Sequence, residues 1–364
     1  MLILASNSIS YYVGQALYTT PNVYLDALPF GMIVETDEAG NYRYSVNGQV
    51  MFSSTSSSSV INNALGNMTS GKVLYISPGT YYVSTILITI KNVTLCGGGL
   101  GSILVLSDNV NANMINVTGD YVTIKDLALR GNRAHQTSGD GIYLNNVLFC
   151  RLENLDIRNF KGDGLQIVGV KGNHWVTNNK IVDCSGAAIK LTGGTTDNFI
   201  QSNDLGGTHE SVLILAGSAN DVIVGNRIYM GGWDGSAYDA SVGGYGIDIY
   251  IANRETISSN QICYNSLDGI RLAHAMNNTI SDNYIAYNDQ WNDNRAGIYL
   301  TGNSTWNKIS GGLIRYNYYG IRGVANEDYN TIIDVSVINN DVGIIINGVN
   351  TQVHLCYNET TWVP

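Results

Sequence analysis

The chain has 364 residues, a net charge of −10 and a pI near 4.8, and only 13% of its residues are charged. Ordinary soluble domains carry roughly 25% charged residues, so the polar surface must come from Asn, Ser, Thr, Gly and Tyr, a neutral hydrogen-bonding vocabulary that suits an extracellular setting. The acidic balance and the lack of any Lys/Arg cluster exclude a nucleic-acid partner, and no apolar run approaches the roughly 20 residues of a membrane span.

In chain order, residues 1–50 form an N-terminal extension, read as an anchor or assembly segment that would serve a homotrimer. The opening Met1-Leu2-Ile3-Leu4-Ala5 lacks the basic flank of a secretory signal, so either a signal has been removed or export follows another route such as virion assembly. Met32-Ile33-Val34 and Tyr42-Arg43-Tyr44-Ser45-Val46 flank Asp37-Glu38-Ala39-Gly40-Asn41 and predict a separate β-hairpin over 31–52. Residues 51–71 hold a short helix, Ser56 to Leu65, with Ser at its N-cap and Val60, Ile61, Ala64 and Leu65 on one face. Its apolar face is expected to plug the open end of the first coil of the repeat region.

Residues 72–364 are dominated by that repeat. Its anchors are Gly141-Ile142-Tyr143-Leu144, Gly164-Leu165-Gln166-Ile167, Ala188-Ile189-Lys190-Leu191, Val212-Leu213-Ile214-Leu215, Gly246-Ile247-Asp248-Ile249, Gly269-Ile270-Arg271-Leu272, Gly297-Ile298-Tyr299-Leu300, Gly320-Ile321-Arg322 and Gly343-Ile344-Ile345-Ile346. Most lie 23 or 24 residues apart, with two long spacings before Gly246 and Gly297. Two further alternating runs precede each anchor, as in Asn278-Thr279-Ile280 and Asn283-Tyr284-Ile285, and Gly or Asn bounds every run. Three short strands per unit with period-two alternation predict an all-β, right-handed parallel β-helix of three-strand coils, about eleven or twelve of them, roughly 55 Å long at the strand spacing. Stacked units would bury columns of Ile and Leu, and the turn Asn residues suit left-handed backbone and side-chain ladders. The five cysteines (96, 150, 184, 263 and 356) are scattered, which predicts small core residues rather than a disulfide or metal framework. Six Asn-x-Ser/Thr sequons, at Asn67, Asn92, Asn116, Asn277, Asn303 and Asn358, are formal glycosylation acceptors.

The order of cap helix, Ile76-Ser77-Pro78-Gly79-Thr80-Tyr81, Ile124-Lys125-Asp126-Leu127-Ala128-Leu129-Arg130-Gly131-Asn132 and then the Asn-x-Ile and Gly-Ile-x-Leu coils resembles the pectate-lyase-like superfamily over residues 56 to 356. That resemblance implies a parallel β-helix that handles polysaccharide as lyase, hydrolase, epimerase, tailspike or carbohydrate-binding repeat. None of the superfamily's catalytic signatures is complete here: there is no Asp-Pro-His-Asp/Glu tetrad and no Asn-Thr-Asp, Asp-Asp, Gly-His-Gly series.

In Gly-Ile-x-Leu the x position points outward, giving the row Tyr143, Gln166, Lys190, Ile214, Asp248, Arg271, Tyr299, Arg322 and Ile345. The two long spacings place loops containing Trp233, Asp234 and Tyr238, and Trp291, beside its middle. With Tyr245 and Tyr299 these are the candidate carbohydrate-binding residues, since aromatic faces stack on sugar C–H surfaces. Asp248, Asp268, Arg271 and His274 are the candidate catalytic residues, the two aspartates as a glycosidase-like pair and His274 as a base; for Asp248 and Arg271 an ordinary ion pair is the competing reading. The expected function is binding of a polysaccharide or cell-surface glycan, outside the cell or on a virion surface; the alternatives are a lyase or glycoside hydrolase acting on an acidic polysaccharide and a purely structural spike or filament subunit. No cofactor is implied, beyond a weak case for Ca²⁺ on the four loop aspartates.

Overall fold

The computed structural model describes residues 31–233, 243–324, 326–354 and 356–359. Their strands form three long sheets of fifteen, twelve and eleven strands, called A, B and C, in which each coil contributes one strand to each sheet and pairs in parallel with the coils below and above. The eleven strands of sheet C mark eleven complete coils. Stacking at about 4.8 Å makes columns of like residues. In sheet C one column runs Ile142, Leu165, Ile189, Val212, Ile247, Ile270, Ile298 and Ile321, and all eight are buried. Four cysteines are buried and Cys356 is half-buried, all as free thiols.

One register differs from the sequence expectation. Ile189 pairs with Val212 and Lys190 with Leu213, so Ser211, not Val212, occupies the anchor position. The outward residue of that coil is therefore Leu213, while Ile214 is fully buried. A one-residue slip exchanges the two faces of a strand.

The first coil is closed on every side. The segment expected as a separate hairpin is a three-stranded meander, Met32–Thr36, Tyr42–Val46 and Gln49–Ser54, whose first strand pairs in parallel with Val73–Ile76 and so extends sheet A. The helix Ser57–Gly66, capped by Ser56 accepting from Ser59 N, buries Val60, Ile61, Ala64 and Leu65 over the open core. Its polar side chains bond the remaining strand edge: Ser57 donates to Tyr82 O, Ser58 Oγ accepts from Ser84 N, and Asn62 spans Thr85 O and Leu87 N. Edge groups that would otherwise invite pairing with another chain are thus occupied.

Polar corners complete the coil. A left-handed residue at the corner is followed by one whose side chain points inward, as at Asn178-Asn179, Ser202-Asn203, Gly225-Asn226 and Ser259-Asn260. Asn179, Asn203, Asn226, Asn260 and Asn283 form one buried ladder, in which each Oδ1 accepts from the backbone N and Nδ2 of the coil below at 2.9–3.0 Å. A second ladder runs Asn265, Asn288, Asn317, Asn340, and a third contains Asn198, Asp221, Glu255, Asn278, Asn307, Asn330. Asn278 is thereby committed to the interior. The corner residues themselves stack outside, as in Tyr264, Tyr287 and Tyr316, with ring centroids 5.1 and 4.7 Å apart.

Asn260→Ala removes an acceptor from Asn226 and a donor from Ile223 O in a dry corner. At about 1–3 kcal/mol for each buried group left unsatisfied, we expect a loss of about 3 kcal/mol or more in urea unfolding, against roughly 1 kcal/mol for Asn178→Ala at an exposed left-handed corner.

Candidate functional site

Sheet C carries the outward row Tyr143, Gln166, Lys190, Leu213, Asp248, Arg271, Tyr299, Arg322 and Ile345. A second row stands one residue before the anchors: Asp140, Asp163, Ala187, Glu210, Tyr245, Asp268 and Ala296, joined coil to coil through N–H to carbonyl bonds with the anchors. The two rows meet along the corner between sheets B and C. Both long spacings open at this corner, between Arg227–Tyr229 and Ile247–Tyr250 and between Tyr284–Ala286 and Ala296–Thr301.

The centre of the surface is Arg271. Its Nε and Nη2 bond Asp248 Oδ1 and Oδ2 at 2.7 and 2.6 Å, its Nη1 donates to Tyr245 Oη at 2.9 Å, and its guanidinium lies 4.1 Å from the Tyr245 ring centroid. A planar guanidinium has five N–H donors; among the described residues three are committed, and a quarter of the side chain is exposed. Asp248 is only 2% exposed, and burial raises its pKa against the opposing effect of Arg271. It is a bonded counter-ion rather than a free nucleophile.

Asp268 is equally buried. Its Oδ1 accepts from Ala296 N at 2.5 Å and its Oδ2 has no partner, and burial pushes its pKa up to about 6 while Arg295, Arg271 and Arg322 oppose the shift. Asp140 and Asp163 make the same tie to the coil above, Asp140 Oδ1 accepting from Asp163 N and Asp163 Oδ1 from Ala187 N, both at 2.7 Å. Lys190 Nζ sits 3.5 Å from Asp163 Oδ2.

Glu210, which the sequence reading does not single out, stands in the row before the anchors. It is 8% exposed, and burial first, then the charge of Asp248, pushes its pKa up to about 7 against Arg271 and Lys190. Gly243, where the chain returns from the longer loop, passes over Glu210 and His209 so closely that a Cβ there would lie 2.7 Å from each. Its signal was the recurrence of an acid just before the anchor, hidden by the slip at Val212.

The other expected residues are divided. Tyr245 and Tyr299 join Asp248 and Arg271, with Arg322 5.5 Å from the Tyr299 ring centroid. Trp233 is half-buried where the longer loop leaves the sheet, and Trp291 is exposed, its backbone N bonded to Ser266 O. Asp234 and Tyr238 lie outside the described residues. His274 is not part of the group: it occupies a left-handed corner at the far end of its strand, edge-on to Tyr250 at 6.0 Å. Of the loop aspartates, Asp289 Oδ1 accepts from Asp293 N, and Asp293 pairs with Arg295. Among the described residues no three His, Cys, Asp or Glu side chains converge as a metal site.

The coils and their corners define a right-handed parallel β-helix, and the likeness to pectate-lyase-like proteins holds at the level of the fold. The family described as "Right handed beta helix region" matches residues 113–242, and that described as "Periplasmic copper-binding protein (NosD)" matches 196–309 and 239–361. No curated protein matches the sequence. Among solved structures, the A-module of the mannuronan C-5 epimerase AlgE4 of Azotobacter vinelandii is 19% identical with a TM-score of 0.63, covering 91% of this chain and 99% of that one. The enzymatically active domain of tailspike protein 2 of bacteriophage CBA120 is 15% identical with a TM-score of 0.65, over 86% of this chain and 54% of the other. The periplasmic alginate epimerase AlgG is 12% identical with a TM-score of 0.53, over 79% and 77%. At these identities the shared feature is the fold.

Arg271→Met would leave Asp248 buried without its counter-ion, which costs about 3 kcal/mol at alkaline pH. Asp248 has a raised pKa, so the deficit should shrink as the pH falls and the carboxyl takes up a proton. Chemical denaturation of both proteins from about pH 5 to about pH 8 measures that convergence.

Proposed function

We propose that this protein is an extracellular or virion-surface β-helix that binds an acidic polysaccharide along the outward row of sheet C. The observation that carries the reading is the Arg271 cluster: a guanidinium held by Asp248 and Tyr245, with a quarter of its side chain exposed, on a rigid sheet flanked by two inserted loops. Lys190 and Arg322 extend the same row, and Tyr299 stands between the two arginines. Fixed polar groups on a rigid scaffold bind without an ordering cost, and loops on such scaffolds concentrate function. The fold neighbours include proteins whose names state that they epimerise mannuronan or alginate, or act as a tailspike.

A second reading, that the protein also acts on this polysaccharide, is favoured by Glu210. A carboxyl that exchanges its proton near pH 7 suits general acid–base work, and it lies within the influence of the Lys190 and Arg271 charges that would hold a uronate.

Mannuronan is expected to bind and neutral dextran not to bind in calorimetry. Arg322→Ala or the Trp233→Ala/Trp291→Ala pair should weaken binding roughly tenfold, about 1.4 kcal/mol. Glu210, Asp140 and Asp268 have raised pKa values of about 7, 6 and 6 and gain negative charge as the pH rises through them, so affinity should fall between about pH 5 and about pH 8. Unchanged affinity in both variants, or preference for dextran, removes the assignment. Turnover is followed by new reducing ends, unsaturated uronate absorbance and change of uronate epimer. It should vanish in Glu210→Gln while binding persists; full activity of that variant removes the catalytic reading.

A further inference from the structure

We propose that Asp221 and Glu255 share one proton and together act as a pH-sensitive lock on the coil that carries the longer loop. The two carboxyls interrupt the third ladder, whose other members from Asn198 to Asn330 are asparagines. In that ladder Asn278 and Asn307 accept through Oδ1 from the coil below while Nδ2 donates to the next Oδ1, at 2.8 and 3.0 Å. The acceptor half survives: Asp221 Oδ1 accepts from Asn198 N and Nδ2 at 2.9 and 2.8 Å, and Glu255 Oε2 accepts from Asp221 N at 2.7 Å. The donor half has no side-chain N–H to supply it.

Asp221 is 0% and Glu255 1% exposed, and their remaining oxygens, Asp221 Oδ2 and Glu255 Oε1, are buried with no partner. Two adjacent anions cannot occupy this dry corner, whereas a proton on Glu255 restores the missing donor. Burial first and then the charge of Asp221 raise the pKa of Glu255; burial also raises that of Asp221, with Asp197 adding to the shift. Arg254, at the corner beside them, opposes the shift of Glu255, and it is bonded through Nε to Asn220 Oδ1. The residues packed below and above, Asn198 and Asn278, are neutral.

The pair sits at both ends of one coil. Asp221 precedes its first strand, Val222–Val224, and Glu255 follows its last, Ile247–Tyr250; the longer loop leaves between them. Folded-state pKa values raised above those of the unfolded chain mean that the native state binds more protons. Stability is therefore fully present below the ordinary carboxylate range and declines as pH rises through the folded values.

Thermal unfolding of the full chain between about pH 6 and about pH 10 tests the lock against Glu255→Gln and Asp221→Asn, each of which replaces the shared proton with an amide N–H. Wild type should lose Tm toward the alkaline end, and both variants should lose clearly less. Infrared difference spectra of wild type at neutral pH should show a protonated-carboxyl stretch that fades on alkaline titration and that loses one carboxyl's share of its intensity in Glu255→Gln, the remainder coming from Glu210. Parallel Tm profiles in all three proteins, or a band of equal intensity in wild type and Glu255→Gln, overturn the proposal; if a variant of the pair fails to fold, the band must persist in Glu210→Gln, and its disappearance there overturns the proposal.

Discussion

Every feature of this molecule depends on one constraint, the fixed spacing of about 4.8 Å between hydrogen-bonded strands of successive coils. A coil that lost register in one sheet would shift the inward residues of the other two, because the same chain passes through all three. Additional residues are therefore tolerated only at corners. The two long spacings both fall at the corner between sheets B and C, where the longer one rejoins the sheet at Gly243.

The same constraint explains why the corners are rich in asparagine. Each turn buries backbone N–H and carbonyl groups that the sheets cannot reach, and a side chain repeated at the coil spacing must serve as donor and acceptor together. Asn does both while neutral. Asn226 illustrates the arrangement, its Oδ1 accepting from Asn203 and its Nδ2 donating to Ile200 O and Asn260 Oδ1. A carboxylate offers only the accepting half, which is why Asp221 and Glu255 are anomalous in their ladder although their size fits.

The fold was legible because stacking imposes identical chemistry on every coil. Gly before Ile is needed where a Cβ would collide, as at Gly246, whose Cβ would lie 2.5 Å from Gly269 O. Where that signal lapses, at Ser211, the run Val212-Leu213-Ile214-Leu215 is apolar in either phase, and alternation alone cannot choose between them. The true phase is set by pairing with Ile189 and Lys190. The error concealed Glu210, whereas Asp248, Arg271 and Tyr299 were placed correctly because Gly246, Gly269 and Gly297 fixed their phase. His274 was misplaced for a different reason: sequence nearness to Arg271 ignores that the strand ends between them and the chain turns away. The tyrosine stack of Tyr264, Tyr287 and Tyr316 was not foreseen, since a left-handed corner favours small residues and only the stacking of one ring on the next offsets its cost.

The composition of the outward face follows from how such a surface treats charge. A carboxylate buried beside the sheet must be bonded to remain, and the row before the anchors meets that need with backbone N–H groups from the next coil, as Asp163 and Asp268 show. The cations need no such tie, because they reach solvent at their tips. The ties between coils therefore fall on the acids, while Arg271 is bonded to Asp248 and Tyr245 and keeps a quarter of its side chain exposed. Glu210 departs from this division: its carboxyl lies beneath the returning loop, 3.9 Å from His209 Nδ1, and its proton is held by burial and by the charge of Asp248. Among the described residues no backbone N–H bonds this carboxyl, so its protonation bears less on the stacking of the coils than that of Asp163 or Asp268 does.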